Sequence, residues 1–131
     1  MLIKWIHLLA ASVWTGGLIT LGGLVPAMRK AGVERPQLQA MARQFGRISW
    51  TAMAIAVVTG ILLLSDVGGD AAARTALGPA LALKLALVGV AASLAFFHQL
   101  TARRSTPAVR GIVQGLVLLV SIGIFGAAIA L

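Results

Sequence analysis

The stretch "KWIHLLAASVWTGG", residues 4–17, is apolar enough to enter a membrane, yet it carries Lys4, His7 and two tryptophans. Apolar sequence continues from it without pause to Val25, long enough to cross a bilayer core of about 30 Å. Lys4 and the small residues of "LAAS" resemble parts of a signal peptide, but the length of the apolar run favours a retained helix. The chain of 131 residues is 60% hydrophobic and 11% charged, with a mean hydropathy of +0.99. A soluble domain of this size has too few polar residues here to cover its surface, so the sequence is that of an integral membrane protein in contact with the lipid bilayer.

Three further runs share this character, and the expected spans are about 2–26, 46–64, 79–102 and 109–130. The expected fold is all-α, a four-helix transmembrane up-down bundle forming a single domain over 1–131, because short connections favour antiparallel neighbours. In the first connection, Pro36 starts a helix and Leu38, Met41, Ala42 and Phe45 fall on one stripe. This predicts an amphipathic segment on the membrane surface, bending at Gly46 into the second span. In the second connection, a turn at Gly68–Gly69 and Asp70 as N-cap predict a short helix that Gly78 ends, with Pro79 opening the third span.

The net charge of +8 does not imply nucleic acid. Basic residues gather at the ends of apolar runs, which is the pattern of topology signals. Arg29, Lys30, Arg35, Arg43 and Arg47 mark one connection, and Arg103, Arg104 and Arg110 mark another on the same side. Lys4 and Arg74 stand on the other side. Both termini are therefore expected outside, periplasmic or extracellular, in a bacterial-type inner membrane. The absence of cysteine excludes disulfides, thiolate metal sites and covalent haem attachment. It leaves b-type haem open, since that needs axial ligands alone.

Ionisable groups inside a bilayer cost about 2.5–3.5 kcal/mol each at mid-helix, so they mark function. Three stand out: His7, Lys84 and His98. His7 and Lys84 each sit roughly 8 Å below the outer end of their spans, and His98 roughly 21 Å below Lys84. His7, Ala10, Ala11, Trp14 and Gly17 share one helix face, and Lys84, Ala91 and His98 share another. A histidine above alanines, with Trp14 two turns away, suits either a flat macrocycle or a hydrogen bond to a neighbouring helix. Lys84 either snorkels or pairs with an anion. Trp5 and Trp50 read as interface anchors. Met28, Met41 and Met53 with His98 would suit Cu(I), though methionine is also a common apolar filler. Asp66 and Asp70 suit a turn and a helix cap better than a cation site. The span glycines, including the GxxxG of "GIVQG" (111–115), read as helix-packing positions or a face for a partner chain.

The order of these features resembles the CopD-like membrane superfamily, which includes the copper resistance D domain and the HemJ-type protoporphyrinogen oxidases. "IHLLAASVWTGG" (6–17) is similar to their first span. "RQFGRISWTAMAIAVVTG" (43–60) is similar to the copper-domain pattern, with an aromatic and basic start and a Thr-Gly later. "LGPALALKLALVGVAASLAFFH" (77–98) is similar to their third span. The fourth span departs from HemJ, with "RSTPAVRGIVQG" where an Asn-Glu-Pro-like stretch is expected. The resemblance implies haem b, with His7 as axial ligand, Trp14 beside it, Lys84 against a propionate and His98 as ligand for a second haem. It implies electron transfer or a porphyrin- or quinone-linked redox step. A single histidine in each layer implies a homo-oligomer or a partner membrane subunit. Copper transport or tolerance, with His7 and His98 as metal ligands, is the second reading. A cofactor-free accessory subunit of a larger membrane complex is the third.

Overall fold

The structure, a computed structural model, describes residues 1–67, 71–101 and 104–129, with backbone alone at 67, 71–74, 76 and 77. The described residues are helical apart from short connections. Helix α1 runs Leu2–Lys30, α2 Arg35–Val67, α3 Ala71–Thr101 and α4 Pro107–Ile129. Each contains a segment long and apolar enough to cross a membrane: Leu2–Lys30, Arg35–Asp66, Gly78–Thr101 and Pro107–Ile129. The protein is thus an all-α, multi-pass membrane protein. It divides into two compact units, Met1–Gly69 and Asp70–Leu131.

The first unit is an antiparallel helical hairpin. α1 continues past the expected boundary at 26, carrying Pro26 within it. Proline forfeits one hydrogen bond, and the helix then holds to a stronger stop signal. That signal is Gly32, at φ +81°. Its N–H donates to the Arg29 carbonyl at 3.1 Å, and the Val33 N–H donates to the Met28 carbonyl at 3.0 Å. These two bonds form a Schellman cap, which needs a left-handed residue and so favours glycine. Arg29 and Lys30 in the last turn complement the helix dipole. Helix α2 opens at Arg35–Pro36, with the Gln37 side chain accepting from the Glu34 N–H at 3.2 Å, one half of a capping box.

The bend expected at Gly46 does not end the helix: the surface segment and the second span form one helix. A single glycine costs about 1 kcal/mol in a helix, too little to end one held by packing. The stripe Leu38, Met41 and Phe45 is half-buried, and Phe45 meets Gly17 of α1. It serves the helix seam rather than the membrane surface. Ala42 is exposed. Down the seam, Ala10, Trp14, Thr15 and Leu18 of α1 are buried, as are Ser49, Ala52, Met53 and Thr59 of α2.

The second unit is also an antiparallel hairpin. Helix α3 runs unbroken through Gly78 and Pro79, so the short helix expected before the span is instead continuous with it, while the membrane-crossing segment opens at Gly78, one residue from the expected Pro79. Proline in a helix interior lacks one donor, a loss the flanking turns absorb here without a break. The Gly68–Gly69 turn, the Asp70 cap, Arg103 and the expected span ends at 102 and 130 lie outside the described residues. Helix α4 begins with Thr106 as its cap, whose Oγ1 accepts from the Val109 N–H at 3.3 Å, and Pro107 in first position. Ala91 has no exposed surface, and Val117 and Ser121 of α4 are buried.

The large apolar side chains point outward: Leu9 is 67% exposed, Leu119 65% and Phe96 57%. That inversion suits hydrocarbon as the surrounding medium. Several hydroxyls in the spans are satisfied within their own helices, as at Ser12 to Leu8, Thr20 to Gly16 and Ser121 to Val117. The glycines divide into two groups. A Cβ at Gly17, Gly60 or Gly123 would meet a neighbouring side chain, whereas Gly16, Gly22, Gly23, Gly111, Gly115 and Gly126 face open space. Each helix turns a single face to its hairpin partner, and those glycines stand on other faces.

Ala91 is where the second hairpin is least tolerant of volume. Ala91→Leu is expected to destabilise it by about 1–3 kcal/mol through overpacking, while Leu85→Ala on the exposed face changes stability little. Thermal unfolding in detergent, followed by circular dichroism, checks the contrast.

Candidate functional site

His7 stands one turn into α1, and the antiparallel pairing brings it to the far end of α2. Its Nδ1 lies 2.9 Å from the Ala56 carbonyl oxygen and 3.1 Å from Thr59 Oγ1. A carbonyl only accepts, so Nδ1 carries the proton and donates. The Thr59 hydroxyl spends its own hydrogen on helix carbonyls, with Ile55 at 2.6 Å and Ala56 at 3.2 Å. Its oxygen lone pair is therefore the part that faces the imidazole. The neutral ring then carries its lone pair on Nε2. This is the arrangement in which a backbone carbonyl fixes the tautomer and raises the basicity of a ligating histidine.

Gly60 completes the seat. A Cβ at that position would come within 3.2 Å of His7 Cε1, tighter than ordinary contact. The imidazole edge thus occupies space that glycine leaves. Thr59 and Gly60 are the Thr-Gly pair of the second span, and the hairpin brings that pair against the first-span histidine. Sequence reasoning placed the two patterns separately and missed their contact. The signal was present in the short connection 31–34, which pairs early residues of α1 with late residues of α2.

Trp14 is 6% exposed and meets Trp50 edge-on, with ring centroids 6.3 Å apart and planes at 67°. Such a T-shaped pair is worth about 0.5–1.5 kcal/mol beyond burial. Trp50 therefore packs in the helix seam. Trp5 is exposed, in keeping with an anchor. Ser49, one residue away from Trp50, is buried, and its Oγ has no hydrogen-bond partner among the described residues.

Lys84 and His98 belong to the second hairpin. Both are half-buried and flank fully buried Ala91, so the predicted shared face of α3 is the one turned to α4. Arg110 of α4 lies within electrostatic reach of His98. Four helical turns, about 21 Å, separate Lys84 from His98, so they form two positions on one face.

A metal held by side chains alone generally takes three or more protein donors. Among the described residues no group of three or more His, Cys, Asp or Glu stands together. A haem supplies four equatorial nitrogens of its own and asks the protein for an axial ligand. An oriented single imidazole such as His7 fits that requirement. No family model, curated protein or solved structure matches the chain.

Nitrogen NMR of histidine-labelled protein at about pH 8, where a free imidazole is neutral, tests the tautomer. His7 is expected to be protonated on Nδ1, and Gly60→Val is expected to disturb that signal by displacing the ring. A His7 protonated on Nε2 alone would contradict the assignment.

Proposed function

We propose that the protein is a small haem-b-binding membrane protein of CopD/HemJ-like type, acting in electron transfer or in a porphyrin- or quinone-linked redox step. The observation that carries this reading is the hydrogen bond from His7 Nδ1 to the Ala56 carbonyl, which leaves Nε2 as the ring's basic nitrogen. In this reading His7 is the axial ligand, and haem b bound there would supply a one-electron iron couple. Ala56 and Thr59 hold the ring's rotation, and Gly60 makes room for its edge. Lys84 offers a cation to a propionate or other anion, and His98 offers an imidazole for a second group along α3. A second copy of the chain or a partner subunit would supply any second histidine to the iron. The basic residues at the ends of the apolar runs support a bacterial-type inner membrane, with both termini outside.

Absorption spectra of detergent-purified, haem-supplied protein, oxidised and then reduced, provide the test. A sharp Soret band with resolved α and β bands is expected, and His7→Ala is expected to abolish or halve the haem content by pyridine haemochrome. A featureless spectrum from well-folded protein would remove this reading. Bound copper without porphyrin would turn it to copper handling, and co-purifying large subunits without cofactor would turn it to an accessory role.

A further inference from the structure

Beginning beside His7 at Ile6, α1 and α2 form an open groove along one face of the first hairpin. Its floor is made by Ala10 and Ala52, both buried, whose small side chains leave a trough. Its walls are Leu9, Val13, Ile48 and Ile55, all exposed on their outer sides. The one charged residue lining it is Arg47, at one end. Arg43 lies one turn further along α2 on the same side of the helix, and Thr51 one turn deeper. This alignment depends on α2 running unbroken through Gly46. A break there would have uncoupled the arginines from the groove.

Arg47 is the last charged residue before the uncharged run 48–65, so it is the charged end of that run. The groove extends from it toward Ile55, about 12 Å along the helix. One leaflet of a bilayer core is about 15 Å deep. An acyl chain laid in the groove therefore has its headgroup at Arg47 and Arg43. Those guanidinium groups have no carboxylate to meet on their own helix. Glu34 lies about 13 Å along the axis from Arg43, and Asp66 about 28 Å from Arg47. The charged residues of α1 are Lys4, Arg29 and Lys30, all basic.

We propose that this groove holds one anionic glycerophospholipid, with its phosphate on Arg43 and Arg47 and an acyl chain over Ala10 and Ala52. Arginine binds a phosphate diester through paired N–H donors in a fixed fork, which distinguishes this site from general attraction by a basic surface. The apolar walls recognise the chain, and the charge at one end alone sets its direction.

Native mass spectrometry tests the site, using the full chain released from micelles doped with equal phosphatidylglycerol and phosphatidylcholine. One phosphatidylglycerol is expected to be retained per chain in preference to phosphatidylcholine. Arg43→Gln with Arg47→Gln is expected to lower that preference about fivefold per arginine removed. Arg29→Gln with Lys30→Gln, at the end of α1 and off the groove, is expected to leave it unchanged. Ala52→Leu fills the floor and is expected to lower retention of both lipids. Equal retention of the two lipids by the unaltered chain would overturn the proposal. So would an equal loss in the Arg29/Lys30 variant, which would mean a diffuse basic surface, or full retention in Ala52→Leu, which would mean that no acyl chain lies in the trough.

Discussion

Hydrocarbon offers no hydrogen bonds, and the arrangement of this chain follows from that constraint. Every backbone amide in the spans must find its partner within the helix, which is why four apolar runs become four long helices and connections are short. The same constraint governs side chains. The hydroxyls of Ser12, Thr20, Thr51 and Ser121 turn back onto carbonyls one turn earlier. His7 cannot do so and reaches across the seam to Ala56 and Thr59 instead. A polar group that its own helix cannot satisfy thus fixes which residues of the next helix lie opposite.

In the first hairpin the seam is read in three contacts. His7 meets the Thr59–Gly60 turn, Trp14 meets Trp50 and Gly17 meets Phe45. Each pairs a bulky or polar ring with a small residue, or two rings edge to edge. Steric fit of this kind sets the register of membrane helices, since lipid is as apolar as the helices and burial provides little drive. The functional reading and the packing therefore rest on the same residues. A ring held by a carbonyl, a hydroxyl and a glycine is a structural joint, and in the proposed reading it would also be the ligand.

Away from that seam other rules hold. Leucine, isoleucine and valine are exposed, and the basic residues collect at the connection end of the two helices. Charge is scarce in this chain and almost all of one sign, so the protein's own carboxylates cannot neutralise it. Counterions must come from the surroundings, and anionic headgroups are the nearest source. In the proposed lipid site, the continuity of α2 would turn this general attraction into a placed one, since Arg43 and Arg47 lie on the same helix as the apolar groove.

The sequence by itself determined the fold class, the four spans to within a few residues at most ends, and the inward faces of α1 and α3. Those follow from hydropathy and helical periodicity, which are local properties of the chain. Pro36 as an opening signal was legible for the same reason. The ends at Gly32 and Arg35, and the passage of helices through Gly46, Gly78 and Pro79, were not. Local breakers such as glycine and proline carry a cost that packing against a neighbouring helix outweighs, and that neighbour is absent from any local reading. The roles of Trp50, Thr59 and Gly60 were also hidden, because each is defined by what lies opposite. Only the antiparallel packing of α1 on α2 decided that His7 donates to Ala56, that Gly60 seats its ring and that Trp50 turns inward to Trp14.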